Sequence, residues 1–206
     1  MLIRCSGDKP FIFIANTKAA STSIHECDEI VRDCEIRIWH SHFGKHLGVK
    51  WIKHRYDFIF DVVPFSKFSI VMIVREPVDW FMSWYRYRQT GALRTHERTS
   101  LGLSPEQFFF EKFKDDNITQ SRLLDGADDT ENFVLMRFGK HLPDDFKVVS
   151  KQLGWPQDIQ LPHQNKSNSL QDNASGLSDA FIEELKSHYA DDFALWEKAN
   201  EERSRV

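Results

Sequence analysis

The chain has 206 residues, of which 41% are hydrophobic, 13% aromatic and 28% charged, and its formal net charge is -4 at pH 7. This length is enough for one well-buried core, and nothing divides the chain into two halves, so we expect a single domain over residues 1–206. The acidic balance argues against a general nucleic-acid or membrane-surface binder, since such proteins usually carry a basic excess. With no secretory leader pattern and no run of about 18 apolar residues, we expect a cytoplasmic chain.

Apolar runs and helical periods alternate through the first half of the sequence. Strands are predicted near residues 10–15, 35–40 and 68–75, and helices near 20–33, 42–55 and 77–89. Near-continuous apolar strands such as residues 69–74 are typical of a parallel sheet covered by helices on both faces. The predicted fold class is therefore α/β.

The second half has fewer clear periods. A polar segment at 91–103 is predicted to be a mobile loop over the site, and 156–177 a long irregular loop. The remaining predictions are a helix from Ser104 to about 114, a strand at 132–138, a helix at 143–153 and a last helix capped by Ser178. The cysteines, Cys5, Cys27 and Cys34, form no C-x-x-C pair, so neither a disulfide framework nor a zinc site is indicated. Cys27 and Cys34 are seven residues apart, and we expect them to be buried free thiols rather than a redox pair.

The segment from Phe11 to Ile24 predicts an anion site. An apolar strand leads into a loop of small and hydroxyl residues around Lys18, and a helix then begins. Free backbone N–H groups, hydroxyls and one lysine together favour a phosphate, sulfate or carboxylate. The loop contains no glycine and is not a Walker A motif, and an unligated structural turn is the alternative.

A second candidate element lies at residues 73–87. Arg75 closes an apolar strand, Pro77 begins the next helix, and Ser83 follows two turns later. Ligands bind at the carboxyl ends of strands in open α/β sheets, and an arginine fork suits a phosphate. The alternative is an Arg75 that only forms an ion pair with Glu76 or Asp79.

Together the two elements resemble the sulfotransferases that use 3′-phosphoadenosine 5′-phosphosulfate (PAPS). The shared order is a strand, K-x-x-x-T-S and a helix, followed by a strand, V-R-x-P and a serine eight residues after the arginine. The resemblance implies a three-layer P-loop NTPase-like fold with a central, mostly parallel sheet flanked by helices. It implies that Lys18, Ala19, Ala20, Ser21, Thr22 and Ser23 cradle the 5′-phosphosulfate, and that Arg75 and Ser83 hold the 3′-phosphate.

The resemblance extends towards the end of the chain. The segment 162–167, which contains Lys166 and Ser167, is similar to an H-x-N-K-S segment of the carbohydrate-type members, and adds these two residues to the donor site. The segment 189–193 is similar to their closing Y-x-x-D-F helix. The implied activity is transfer of a sulfuryl group from PAPS to a hydroxyl or amine of a small molecule or glycan, with 3′-phosphoadenosine 5′-phosphate (PAP) as product. No metal is implied.

One position departs from the family pattern, because the family loop often has glycine where this chain has Ala20. Alanine fits there if its φ stays negative, as in the first turn of a helix, so that is the conformation we expect.

Transfer to a hydroxyl also needs a general base, and Lys18 would stabilise charge on the leaving phosphate. Our candidates for the base are His42 and His40, which follow the second predicted strand; Glu26 is a less favoured carboxylate alternative. The spacing of His40, His42 and His46 also leaves open a metal site or solvated histidines. A group of arginines after the Arg75 helix fits either an anionic acceptor or a solvated face: Arg86, Arg88, Arg94 and Arg98.

Two other functions stay open at this point. A nucleotide-dependent kinase on a similar fold would need a Walker A loop, which is missing from the sequence. A non-catalytic module that binds the nucleotide without transfer is compatible with the same residues.

Overall fold

The structure is a computed structural model that describes residues 1–40, 44–128, 130, 132–156, 159, 161 and 176–204. Its centre is a five-stranded sheet in the order β3-β1-β2-β4-β5. The strands are β1 (Leu2–Arg4), β2 (Phe11–Ile14), β3 (Ile36–Arg37), β4 (Ser69–Val74) and β5 (Phe133–Arg137). The predicted strands at 10–15, 68–75 and 132–138 are confirmed.

The sheet is mixed. β2 pairs with β4 and β4 pairs with β5 in parallel, whereas β1 pairs with both β2 and β3 in antiparallel register. The α/β class is therefore confirmed, and the expectation of a mostly parallel sheet holds only for the half that contains β2, β4 and β5. The strand that was not predicted is β1, because three residues are too few to show a period.

Helices surround the sheet and its carboxyl end. They are α1 (Ser21–His25), α2 (Asp28–Val31), α3 (Val49–Arg55), α4 (Asp57–Phe60), α5 (Pro77–Tyr87), α6 (Pro105–Phe108), α7 (Leu142–Leu153), α8 (Asp179–His188) and α9 (Ala190–Ser204). The predicted helix at 20–33 is interrupted, since Glu26 has ψ 0 and Cys27 is extended with ψ 96. The last predicted helix likewise divides at Tyr189, between α8 and α9. Among the residues described, no helix is long and apolar enough to cross a membrane.

Alternate residues of the strands pack on opposite faces of the sheet, as the period of two requires. Phe11, Phe13 and Val71 face α1, α2 and α7, in one buried cluster. Ile12, Ile14 and Met72 face α3 and α9, in another. Both faces of the central strands are thus covered, which explains why these strands are near-continuous apolar runs.

A third apolar cluster joins α5, α6 and α8. Phe108, Phe109 and Phe113 are buried in it, as predicted, whereas Phe110 is exposed. The chain forms a π-helix over Phe109–Phe113 after the capping box of Ser104 and Gln107, which is also confirmed. This cluster holds α5 in place, and α5 carries one side of the site described below.

The segment 91–103 is attached to α5 rather than separate from it. It begins as a 3-10 helix at Gly91–Thr95. The Ser100 hydroxyl, which is buried, donates to the carbonyl of Tyr85 at 2.5 Å, and the Arg88 guanidinium donates to the carbonyl of Arg98 at 3.2 Å. Arg88 and Arg98 also share the carboxylate of Asp116, at 3.4 Å and 3.3 Å. Arg86 lies 3.9 Å from the carboxylate of Asp79, so three of the four grouped arginines have a structural partner.

Candidate functional site

The two predicted elements meet at one cavity at the carboxyl ends of β2 and β4. The cavity has a volume of about 400 Å³, and its lining includes the whole loop from Lys18 to Ser23 together with Arg75 and Ser83. The rest of the lining includes two polar residues, Lys45 and His46, and three aromatic ones, Trp84, Tyr87 and Phe138. The residues predicted for the two phosphate sites thus lie on one surface, although 57 positions separate Lys18 from Arg75.

Arg75 is the most deeply buried cation of this cavity, with 3% of its surface exposed. Its Nε donates to the carboxylate of Asp79 at 2.6 Å, and its Nη1 donates to the carbonyl of Lys18 at 2.8 Å. The guanidinium carbon lies 4.3 Å from the centre of the Phe138 ring. Its Nη2 is buried and has no hydrogen-bond partner among the described residues. The ion pair with Asp79 therefore exists, and one edge of the fork is left for a ligand.

Two lysines add to the positive charge. The Nζ of Lys18 lies 3.8 Å from the centre of the Tyr87 ring, and burial, with help from Arg75 and Arg86, lowers its pKa to about 8. The Nζ of Lys45 donates to the hydroxyl of Thr22 at 3.4 Å, and burial lowers its pKa too. Among the residues that the structure describes, none that lines the cavity carries a carboxylate. An anion in the cavity would therefore be attracted by the three cations of this lining.

The backbone of the loop is left-handed at two positions, Lys18 with φ 59 and Ala20 with φ 52. The expectation that Ala20 keeps a negative φ is wrong, because α1 begins one residue later, at Ser21. A left-handed conformation costs a residue with a Cβ about 1–2 kcal/mol. Since α1 has only five residues, its dipole is small, and the attraction for an anion comes mainly from the cations.

Side chains outside the loop hold its carbonyl groups. His46 Nδ1 bonds the carbonyl of Ala15 at 2.6 Å, and Trp80 Nε1 donates to that of Thr17 at 2.9 Å. With the bond from Arg75 to Lys18, three peptide groups of the loop are fixed in direction. These bonds compensate the strained backbone, so the loop keeps its shape without a ligand.

The histidines differ in their relation to the cavity. His40 is exposed and is not part of the lining, and His42 lies outside the described residues. His46 does line the cavity, and burial lowers its pKa. Because the Ala15 carbonyl can only accept, His46 carries its proton on Nδ1 and leaves the Nε2 lone pair available. Sequence reasoning passed over His46 because nothing in the spacing separates it from the two others.

Two further predicted site residues, Lys166 and Ser167, fall outside the described residues. Among the residues that the structure does describe, no group of three His, Cys, Asp or Glu side chains could hold a metal ion. A second cavity of about 710 Å³ is lined by both charge signs, including Arg4, Arg32 and Glu35, and by none of the predicted site residues.

Two buried amides behind the cavity were also missed. Asn16 and Gln120 are each 1% exposed, and the Asn16 amide donates to the side-chain oxygen of Gln120 at 2.7 Å. Neither residue belongs to a motif, and 104 positions separate them. A local pattern could not have identified this pair.

No family model, curated protein or solved structure matches the chain. Its function is therefore inferred from the chemistry of this cavity.

We predict that Ala20→Gly raises the free energy of unfolding by about 0.5–1 kcal/mol. Glycine removes the Cβ clash at φ 52, and this gain exceeds the extra entropy of glycine in the unfolded chain. Ala19→Gly is the matched control, because Ala19 is buried and has no positive φ, so it should destabilise the protein. Urea unfolding of the three proteins measures both changes. A destabilised Ala20→Gly variant would contradict the strained conformation.

Proposed function

We propose that the chain is a sulfotransferase that moves a sulfuryl group from PAPS to a hydroxyl or amine of a carbohydrate acceptor, on a three-layer P-loop-like fold. The observation that carries this proposal is the buried Arg75, whose Nη2 has no partner and which lines one cavity with the Lys18–Ser23 loop. Two separate anion-binding elements in one cavity favour a ligand with charge at two ends.

The residues present fit the donor. PAPS carries anionic groups on both sides of its adenosine, and the cavity offers Arg75 with Ser83 on one element and Lys18 with the hydroxyls of Ser21–Ser23 on another. A volume of about 400 Å³ lies within the usual range for ligand pockets. Lys166 and Ser167 remain predicted contributors to the same site.

The donor supplies the sulfuryl group, and the protein's part is positioning, charge stabilisation and proton transfer. Lys18 and Lys45, which line the cavity, would stabilise negative charge on the departing 5′-phosphate. His46 accepts at Nε2 the proton of the acceptor, while its Nδ1 stays bonded to the Ala15 carbonyl. The new bond joins the acceptor oxygen or nitrogen to sulfur, the bond between sulfur and the phosphate oxygen breaks, and that oxygen keeps the electron pair.

Thermal denaturation distinguishes the main alternatives. PAP at about 100 times its Kd should stabilise the protein by roughly 2.7 kcal/mol, which is easily seen as a rise in Tm. ATP with Mg²⁺ should raise the Tm much less, since the loop lacks a Walker A sequence. A rise in Tm with ATP and Mg²⁺ but not with PAP would contradict this proposal and favour the kinase. A response to PAP without any sulfuryl transfer would favour the non-catalytic module.

The affinity for PAP should fall as the pH rises above about 8. Lys18 has a pKa of about 8 when buried without a ligand, and a bound anion favours its charged form, so binding takes up protons between that pH and the ordinary lysine pKa of 10.5. Calorimetry of PAP binding at pH 7 and pH 9, in two buffers of different ionisation enthalpy, should show proton uptake at pH 9 only. Lys18→Arg, which stays charged, should reduce the uptake. Equal affinity at both pH values would remove Lys18 from the site.

His46→Asn should lower sulfuryl transfer about 10²- to 10⁴-fold and leave the affinity for PAP within a few-fold. The asparagine amide can keep the bond to the Ala15 carbonyl but supplies no base. Transfer of label from PAPS to a panel of glycans measures the first quantity, and calorimetry with PAP the second. His40→Ala is the control, since His40 does not line the cavity. Normal transfer by His46→Asn and its loss in His40→Ala would return the role to His40.

A further inference from the structure

Gln120 forms a two-point pair with the peptide of Arg75. Its Oε1 accepts from the Arg75 N–H at 3.0 Å, and its Nε2 donates to the Arg75 carbonyl at 2.8 Å. β4 ends at Val74, so Arg75 lies just beyond the strand. The Gln120 amide therefore does for Arg75 what a neighbouring strand does for a residue inside a sheet.

The Gln120 amide also contacts the segment that follows β2, the strand next to β4. Gln120 Oε1 accepts from Asn16 Nδ2 at 2.7 Å, and Asn16 Nδ2 donates to the carbonyl of Ile73 at 2.9 Å. Asn16 begins the loop that leads to Lys18, and Ile73 belongs to β4. Gln120 thus joins the ends of the two segments that carry the candidate phosphate sites.

Asp192 fixes Gln120 in turn. Its two carboxylate oxygens accept from the backbone N–H groups of Gln120 and Ser121, both at 2.8 Å, and the side chain is 1% exposed. Hydrogen bonds to a carboxylate are about twice as strong as neutral ones, and a buried carboxylate needs them. Asp192 belongs to the segment 189–193 that was noticed in the sequence, and these bonds give it a physical role outside the cavity.

We propose that Gln120 is a positioning residue, held by Asp192, which sets the place of the Arg75 guanidinium for a phosphate of the ligand; this inference rests on the proposed function. Arg75 is held at Nε, at Nη1 and at its peptide, and its Nη2 has no partner among the described residues, which leaves Nη2 to meet the ligand. Without the two hydrogen bonds from Gln120, the Arg75 backbone can move, and the position of Nη2 is then no longer fixed. The effect should be confined to the phosphate that Arg75 binds.

The test is a double-mutant cycle with two ligands. Gln120→Met keeps the approximate shape and removes all three side-chain hydrogen bonds. It should weaken PAP binding about tenfold or more, as expected for a misplaced charged hydrogen bond, and change the affinity for AMP, which lacks the 3′-phosphate, less than twofold. In an Arg75→Ala background, Gln120→Met should change PAP affinity less than twofold. Thr130→Val is the control, because Thr130 is a buried polar residue bonded to the carbonyl of Phe68.

A general structural role for Gln120 predicts different results. Equal losses for PAP and AMP, or the same loss with and without Arg75, would overturn the proposal. If Gln120→Met does not fold, Asp192→Asn provides the second variant. It should lower the affinity for PAP, by less than Gln120→Met is expected to, and leave the affinity for AMP nearly unchanged. The same loss for both ligands in Asp192→Asn would again count against positioning.

Hydrogen exchange of the Arg75 amide separates this inference from the proposed function. The amide should be protected in the wild type and exchange at least tenfold faster in Gln120→Met, with no ligand present. A wild-type protein that does not bind PAP would overturn the proposed function and leave this measurement standing. Unchanged exchange at Arg75 would overturn the pairing itself.

Discussion

The carboxyl end of the sheet is organised around a buried guanidinium. The Arg75 side chain is buried, and a buried charge is expensive unless its donors are satisfied. Asp79, one turn into α5, and the carbonyl of Lys18 each satisfy one of them. Because these partners come from a helix and from a distant loop, satisfying the arginine also brings β2, β4 and α5 into one arrangement. The Nη2 group has no partner among the described residues, so the ion pair with Asp79 leaves part of the guanidinium unsatisfied.

The strained loop depends on the same arrangement. Left-handed φ angles at Lys18 and Ala20 are unfavourable for residues with a Cβ, and the loop has no glycine to relieve them. Hydrogen bonds from His46, Trp80 and Arg75 to its carbonyl groups hold it from outside. Two of these three donors follow β4, so the loop's shape is determined largely by an element that comes much later in the chain. The positive charge of the cavity and the shape of the loop therefore have a common origin.

This dependence explains which features the sequence predicts. The strands β2 and β4, the start of α5 at Pro77 and the capping box at Ser104 are local patterns of burial and hydrogen bonding, and all were predicted. The meeting of Lys18 with Arg75 was expected from the family resemblance, together with the rule that ligands bind at the carboxyl ends of strands in open α/β sheets. β1 was not predicted because it is short, and the conformation of Ala20 was not predicted because distant side chains determine it. The contact between Gln120 and Asp192 was not predicted for the same reason, since their 72-residue separation leaves no periodic signal.

The cavity's charge also differs from that of the whole chain. The net charge of -4 describes the whole sequence, yet Lys18, Lys45 and Arg75 line a pocket with no carboxylate among the described residues. Exposed charges are screened over about 8 Å at physiological ionic strength, whereas the lysine and arginine groups inside are partly desolvated and act at close range. Burial lowers the pKa of both lysines, and for Lys18 the neighbouring charges of Arg75 and Arg86 lower it further. A small anion inside the cavity would offset the free-energy cost of the buried positive charges. A long polyanion outside the cavity would be repelled by the net negative charge of the protein. The cationic character of the cavity thus follows from where the charges lie in the fold, not from the net charge of the chain.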